Sequence, residues 1–254
     1  MSEAWRVIGA SVQGVSHVKS GQPCQDAHAW AVLLNGTLIA AVADGAGSAA
    51  LAEVGAQLAA KLAVNFLRQQ LIENELPGDE AAWQTLLFDA LKATRQRLED
   101  EAQTRGCALR DLAATLIVAV ATAELAAVAH VGDGAAVLQT GDELLLLAAP
   151  QVSEYVNETT FVVSADYLAA AQFCCWPGRA RQLALFTDGL QRLALQMPWQ
   201  RPHAPFFAPL FQFAANAGAD AEAQLAAFLC SPRIAERADD DLTLLLAARC
   251  TANC

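Results

Sequence analysis

Residues 42–50 read VADGAGSAA. An apolar run ends in Asp44, and a glycine-rich turn opens onto an alanine-rich segment. Gly45 to Ala50 fit G-x-G-x-x-A, the fingerprint of a dinucleotide-binding turn. Asp44 fits a different device, a carboxylate held at a strand end to bind a metal. The two readings demand different folds. A dinucleotide turn belongs to a parallel β-α-β unit, with an acidic residue about 20 positions on at the end of the next strand. A metal-binding aspartate needs oxygen partners elsewhere in the chain.

The flanking sequence decides between them. Residues 28–44, HAWAVLLNGTLIAAVAD, place two β-rich runs around Asn35-Gly36, the preferred pair for a type I′ hairpin turn. The strand that ends at Asp44 is therefore paired antiparallel with its predecessor. Beyond the turn, apolar residues recur at three and four over 48–73, with Ser48 or Gly47 as the cap. The breaker LPGDE follows, and then a second helical stretch over 79–104. A helix that leads to a helix supplies no parallel partner strand. Asp44 would also set a negative charge beside a pyrophosphate. The dinucleotide reading fails on this context.

The rest of the chain extends the pattern. Residues 5–13 read as a strand, and GVSHVKSGQPCQDA, residues 14–27, as a loop without periodicity. From Leu112 the period changes to several strands joined by tight turns at Gly132-Asp133-Gly134 and Thr140-Gly141-Asp142. Residues 150–180 are less regular and read as a flap. RQLALFTDGLQRLAL, residues 181–195, reads as a strand, a turn at Asp188-Gly189 and a short helix. Residues 205–230 look helical, and RADDDLTLLLAAR, residues 237–249, is an acidic turn and a final strand. There is no internal repeat or linker. A single domain over 1–254 is expected, of the α+β class, with antiparallel sheets covered by helices.

Composition excludes several function classes. Hydrophobic residues make up 55% and charged ones 17%, which is a globular chain with a sizeable core. The net charge of −11 repels phosphate backbones, so no nucleic-acid partner is expected. No Lys/Arg cluster marks a membrane surface. The most apolar stretch, LAATLIVAVATAELAAVAHV, is interrupted by Glu124 and His130 and reads as two buried strands, not a membrane span. The first residues, MSEAWRVIGAS, lack the pattern of a secretory signal. Seven cysteines without a C-x-x-C pair fit reduced thiols, and a cytoplasmic location is expected.

Other carboxylates share the setting of Asp44. Asp188 lies in ALFTDGL, Asp133 in AHVGDGAAV, and Asp26 in PCQDAHAW, while Asp239, Asp240 and Asp241 precede the last strand. One Asp-Gly after a strand is usually just a turn. Two with the same apolar preface, plus an aspartate triplet at a strand start, argue for a site. Hard cations such as Mg²⁺ and Mn²⁺ take oxygen ligands, and converging carboxylates repel without one.

These segments, in this order, resemble the metal-dependent protein serine/threonine phosphatases of the PP2C (PPM) type, bacterial branch. GVSHVKSGQPCQDA resembles the N-terminal motif, and AAVADGAGS the family's V-A-D-G-x-G. AATLIVAV and AHVGDGAAVL resemble the following strand motifs, LALFTDGL its L-x-S-D-G-L, and DDDLTLLL its D-N-x-T close. The resemblance implies a PP2C-like β-sandwich of two antiparallel sheets flanked by pairs of long helices. It implies two Mn²⁺ or Mg²⁺ ions, with a third held more loosely. Asp44 then bridges the pair with the Gly45 carbonyl beside it, Asp188 and Asp240 are further ligands, and Asp133 serves the third ion. Asp26 holds one metal directly or through water. Two such cations, ~3.5–4 Å apart, activate a water for in-line attack on phosphorus. The implied substrates are phosphorylated proteins, and the implied counterpart is a Ser/Thr kinase.

Three positions depart from the family pattern. Gln25 stands where a glutamate often precedes Asp26. Gly21 marks the place of an arginine that often grips substrate phosphate, and His17 and Lys19 are the nearby cations. His17 is either that substitute or an ordinary loop histidine. Ala46 stands where some members carry a histidine that protonates the leaving group. His28 and His130 read as packing residues. These departures keep a second hypothesis open, a phosphatase-like interaction protein with weak or no turnover. A hydrolase of small phosphate esters is a third.

Overall fold

The computed structural model describes residues 3–141, 143–151 and 159–251. The chain runs β1 (Glu3–Val12), α1 (Val15–Ser20), β2 (Asp26–Val32), β3 (Leu38–Asp44), α2 (Ala52–Glu73) and α3 (Glu80–Arg105). It continues β4 (Leu116–Ala121), β5 (Leu125–Val131), β6 (Ala135–Thr140), β7 (Glu143–Ala148), α4 (Tyr167–Ala170), β8 (Gln172–Pro177) and β9 (Gln182–Phe186). It ends with α5 (Gln191–Ala194), the short pair β10 (Leu195–Gln196) and β11 (Arg201–Pro202), α6 (Ala204–Ala215), α7 (Ala221–Leu229), α8 (Pro232–Ala235) and β12 (Leu242–Thr251).

Two five-stranded sheets form, in the orders β1-β12-β9-β6-β7 and β2-β3-β4-β5-β8. Every pairing in them is antiparallel. The hairpin at Asn35-Gly36 is present, and β3 lies between β2 and β4. No parallel strand flanks Asp44, so the turn after it has no β-α-β setting.

The sheets stack face to face, and each outer face carries helices. Along β3, Ile39, Ala41 and Ala43 pack outward against α2 and α3, where Ala56, Ala60, Leu67, Leu87 and Leu91 are buried. Leu38, Ala40 and Val42 point the other way, into the layer between the sheets, beside Leu245 and Ala247 of β12. On the far side Leu244 and Leu246 meet Phe207 and Phe211 of α6 and Leu225 of α7. Both faces of the central strands are therefore dry. This explains why they read as continuous apolar runs. Each large side chain so buried stabilises the fold by about 1.5–3 kcal/mol. Among the described residues, no helix is long and apolar enough to cross a membrane.

Three local expectations are corrected. Segment 14–27 was expected as loop, yet Val15–Ser20 form a short helix closed by Gly21 in the left-handed region at φ 68°. None of its residues is buried, so its periodicity carries no signal. The helix expected over 48–73 starts at Ala52, later than Ser48. The N–H groups of Ala46 and Leu51 are taken by the carbonyls of Ala113 and Asp111, which holds the turn open before the helix winds. The flap region is more regular than expected, since β8 completes the second sheet beside β5. Residues 152–158 of it lie outside the described residues.

Candidate metal centre

One end of the sandwich gathers the predicted carboxylates. Asp44 closes β3, and Asp133 sits in the turn from β5 to β6. Asp188 opens a 3-10 turn two residues after β9, and Asp240 lies two residues before β12. All four line one cleft of about 280 Å³, together with Ser16, His17, Gln25, Gly45, Ala46, Gly47, Thr159 and Phe161. Carboxylate oxygens of Asp44, Asp133 and Asp188 lie within 4.8 Å of one another. No lysine or arginine is among the residues that line the cleft.

Each carboxylate is held by its own element. Asp44 is fixed through its backbone: its N–H donates to Thr115 Oγ1 at 3.0 Å, and its carbonyl accepts from the Thr115 N–H at 2.8 Å. Gly45 follows in a tight place. A Cβ there would lie 2.4 Å from the Ala52 carbonyl oxygen and 2.8 Å from that of Gln25, so only glycine turns the chain here. Asp133 Oδ2 accepts from Thr159 Oγ1 at 3.0 Å, and Gln191 Nε2 donates to the Asp133 carbonyl. Asp26 pairs with Asp44 across the β2–β3 ladder. It is buried behind the cleft, and Thr187 Oγ1 donates to its Oδ2 at 2.6 Å. That hydroxyl in turn accepts from the Thr243 N–H at 3.0 Å.

The electrostatics are those of a crowded anion cluster. Burial first, then the charges of Asp26 and Asp188, raise the Asp44 carboxyl well above the usual range. Burial, then Asp133 and Asp240, push Asp188 up to about 7. Asp26 is pushed up to about 8 by burial, against the lowering hydrogen bonds from Thr187 and Thr243. Asp133 is raised by burial despite its bond from Thr159. Protein dipoles stabilise these charges only in part. Two oxygens beside them, Gln25 Oε1 and Asp133 Oδ1, are buried and have no hydrogen-bond partner among the described residues. An orphaned buried acceptor is costly unless something electropositive meets it. The donor set is all oxygen, hard and anionic, which fits Mg²⁺ or Mn²⁺.

The other predicted residues divide. His17 reaches the cleft from α1, whereas Lys19 is exposed and outside the lining. Gly21 caps α1 and offers no side chain, and Ala46 lines the cleft without a proton. His130 is wholly buried with both ring nitrogens unpartnered, and burial pushes its pKa down to about 3. His28 is bonded to Ser11 through Nδ1. A larger cavity of about 650 Å³, lined by Arg6, Arg179, Arg181 and Arg249, lies elsewhere on the molecule and holds no carboxylate cluster.

Asp241, the last of the triplet, has a role that its sequence setting does not show. It is 2% exposed. Its Oδ1 accepts from the Gly14 N–H at 2.6 Å, and its Oδ2 from the Gln25 N–H at 2.6 Å and from His17 Nδ1 at 2.8 Å. It ties both ends of the 14–25 segment to the start of β12. Gly14 is required at this crossing, because a Cβ would lie 2.2 Å from the Asp240 carbonyl carbon.

Residues 13–230 match the family described as Protein phosphatase 2C. The chain belongs to that family. A curated relative, Serine/threonine-protein phosphatase 3 of Escherichia coli, is 37% identical over 252 residues, covering 96% of this chain and 98% of the relative. Solved structures share the two-sheet α+β fold. PppA, a key regulatory component of T6SS in Pseudomonas aeruginosa, superposes with a TM-score of 0.63 at 19% identity, covering 97% of this chain and 98% of that one. A serine/threonine phosphatase of S. agalactiae gives 0.63 at 14% identity, covering 96% and 99%. This protein phosphatase 2C member is thus an enzyme of the serine/threonine phosphatase class.

Proposed function

We propose that the cleft binds a pair of Mn²⁺ or Mg²⁺ ions, with a third held more loosely, and hydrolyses phosphoserine and phosphothreonine in proteins. The reading is carried by three carboxylates that converge within 4.8 Å with no lysine or arginine in the lining. Asp44, Asp188, Asp240 and the Gly45 carbonyl would hold the pair, with Asp26 behind them, and Asp133 would serve the third ion. When bound, such cations supply water activation and charge compensation for phosphoryl oxygens. The chain itself does the positioning. Thr115 and the β3–β4 ladder fix Asp44, Thr187 fixes Asp26, and Thr159 orients Asp133. His17 reaches toward the substrate phosphate from α1, and Lys19 adds charge from the exposed side of the same helix. The substrates on this reading are proteins phosphorylated by a Ser/Thr kinase.

A second reading rests on Gln25, Gly21 and Ala46, which depart from the family pattern at three positions: an interaction protein that binds phosphoprotein with little turnover. One assay separates them. A phosphothreonine peptide is incubated with Mn²⁺, with Mg²⁺ and with EDTA, using the wild type, Asp44→Asn and Asp188→Asn. Metal-dependent release of phosphate, lost in both variants, is expected. Turnover that survives EDTA overturns the metal reading. Metal binding without turnover selects the interaction protein.

A further inference from the structure

The geometry assigns His17, held by Asp241, as the group that delivers a proton to the leaving-group oxygen. This inference rests on the phosphatase reading above and names a residue for a step that Ala46 cannot perform.

His17 is not a loose loop histidine. Its side chain is 11% exposed, and its Nδ1 lies 2.8 Å from Asp241 Oδ2, whose own side chain is 2% exposed. Asp241 cannot swing, because the Gly14 and Gln25 backbone N–H groups hold both its oxygens. The helix that carries His17 is fixed as well. The Ser16 N–H and hydroxyl both donate to the Asp239 carbonyl, at 2.9 and 2.7 Å. With Nδ1 donating to a carboxylate, the ring is locked in one orientation. This is how a carboxylate orients a histidine for acid–base work. Nε2 is left as the exchangeable position. It has no partner among the described residues, and the ring lines the cleft with Asp44, Asp188 and Asp240.

The alternatives are placed elsewhere. His130 is sealed in the core, and His28 is turned to Ser11. His203 contacts Gln196 and lines a separate apolar groove. The Cys24 thiol is pushed up to about 12 by burial and then by Asp241 and Asp26, and it is not in the lining. Lys19 is exposed outside the cleft. The remaining acids of the lining are the aspartates given to the cations. Among the described residues that line the cleft, the Ser16 and Thr159 hydroxyls are spent on Asp239 and Asp133, and His17 is the one titratable side chain free of cation duty.

The step balances simply. The oxygen of the attacking water forms the new bond to phosphorus and gives one proton to solvent. The bond from phosphorus to the seryl or threonyl oxygen breaks, and its electron pair stays on that oxygen. The Nε2 proton moves to it and yields the hydroxyl. Neutral His17 then regains a proton from solvent.

The test reads leaving-group dependence with Mn²⁺ present. The kcat/KM of wild type, His17→Ala and His17→Gln is measured on p-nitrophenyl phosphate, phenyl phosphate and a phosphothreonine peptide. A p-nitrophenolate departs without a proton, whereas phenolate and threonine alkoxide need one increasingly. General acid catalysis is worth roughly 10²–10⁴-fold. Both variants should therefore lose at least about tenfold more on the peptide than on p-nitrophenyl phosphate, with phenyl phosphate between. Calorimetric Mn²⁺ affinity should be the same in all three proteins. An equal loss on every ester overturns the assignment and leaves His17 as a phosphate grip. A loss that tracks weakened Mn²⁺ binding overturns it in favour of a structural role. If the wild type hydrolyses no ester with metal, the phosphatase reading itself fails, and that outcome is distinct from either.

Discussion

Asp241 and the trio Asp44, Asp133 and Asp188 occupy the same end of the sandwich, and their surroundings are opposite. Asp241 has three N–H donors within 2.8 Å and lies outside the cleft lining. The trio has its oxygens turned toward one another, lines the cleft, and has raised pKa values because burial and like charge disfavour ionisation. A buried carboxylate that is fully hydrogen-bonded is a strut. A set left facing itself is, on the proposed function, a socket for an external cation. The division runs between neighbours: Asp240 lines the cleft and Asp241 does not.

The largest effects should separate the two groups by substitution. Asp188→Asn is expected to cut metal-dependent phosphatase activity by on the order of 10²–10³-fold or more. The metal-free Asp188→Asn protein should unfold at the same temperature as wild type or higher, since a repelling charge is removed. Asp241→Leu should do the reverse to stability. It strands the Gly14 and Gln25 N–H groups and the His17 ring, at ~1–3 kcal/mol for each donor that stays buried, so a loss of about 3 kcal/mol or more is expected in denaturant unfolding. Equal destabilisation by both substitutions would erase the distinction between strut and socket.

The next effect is a pH dependence. Asp188 at about 7 and Asp26 at about 8 hold protons in the folded, metal-free chain that unfolded aspartate, near ~3.9, has already released. Their contribution to stability is complete below about pH 4 and is lost as pH rises through 7 to 8. His28 and His130 act oppositely below about pH 6.5, because burial lowers their pKa values. The informative quantity is therefore the gap in Tm between Asp188→Asn and wild type. It should widen from pH 5 to 8 without metal and close at saturating Mg²⁺. A gap constant across that range would mean that the trio is not crowded.

The trio and the fold were legible for the same reason. Asp44, Asp133 and Asp188 each end an apolar strand in an Asp-Gly turn or follow one, and the hairpin at Asn35-Gly36 made the neighbouring pairing antiparallel. The division within the aspartate triplet was not legible. Adjacent residues at a strand start face opposite ways, and nothing in Asp-Asp-Asp says which one faces the cleft. Helix α1 escaped notice because it buries no residue and is stabilised by Asp239 and Asp241 more than 200 positions away. Strand β8, an edge strand with only intermediate burial, lacked the apolar run that marked its neighbours.

Two smaller effects sharpen the comparison. Thr187→Val removes the hydroxyl that donates to Asp26 and accepts from the Thr243 N–H, and should cost about 1–3 kcal/mol. The share that comes from the bond to Asp26 should grow as pH rises through about 8, where Asp26 gives up its own proton. Last comes Lys19→Ala. A cation socket is empty of counter-charge only if no lysine or arginine already balances the trio, and Lys19 sits on the helix that brings His17 to the cleft. Lys19 is exposed and outside the lining, so water and salt screen its charge from the carboxylates. The substitution should shift metal-free stability by less than about 0.5 kcal/mol. Mn²⁺ affinity should rise or fall by less than about twofold at physiological salt, by the same screening. A loss of more than about 1 kcal/mol would show that the trio has a counter-charge built into the chain. The contrast with Asp241 would then be one of degree, and the case for a bound cation would weaken with it.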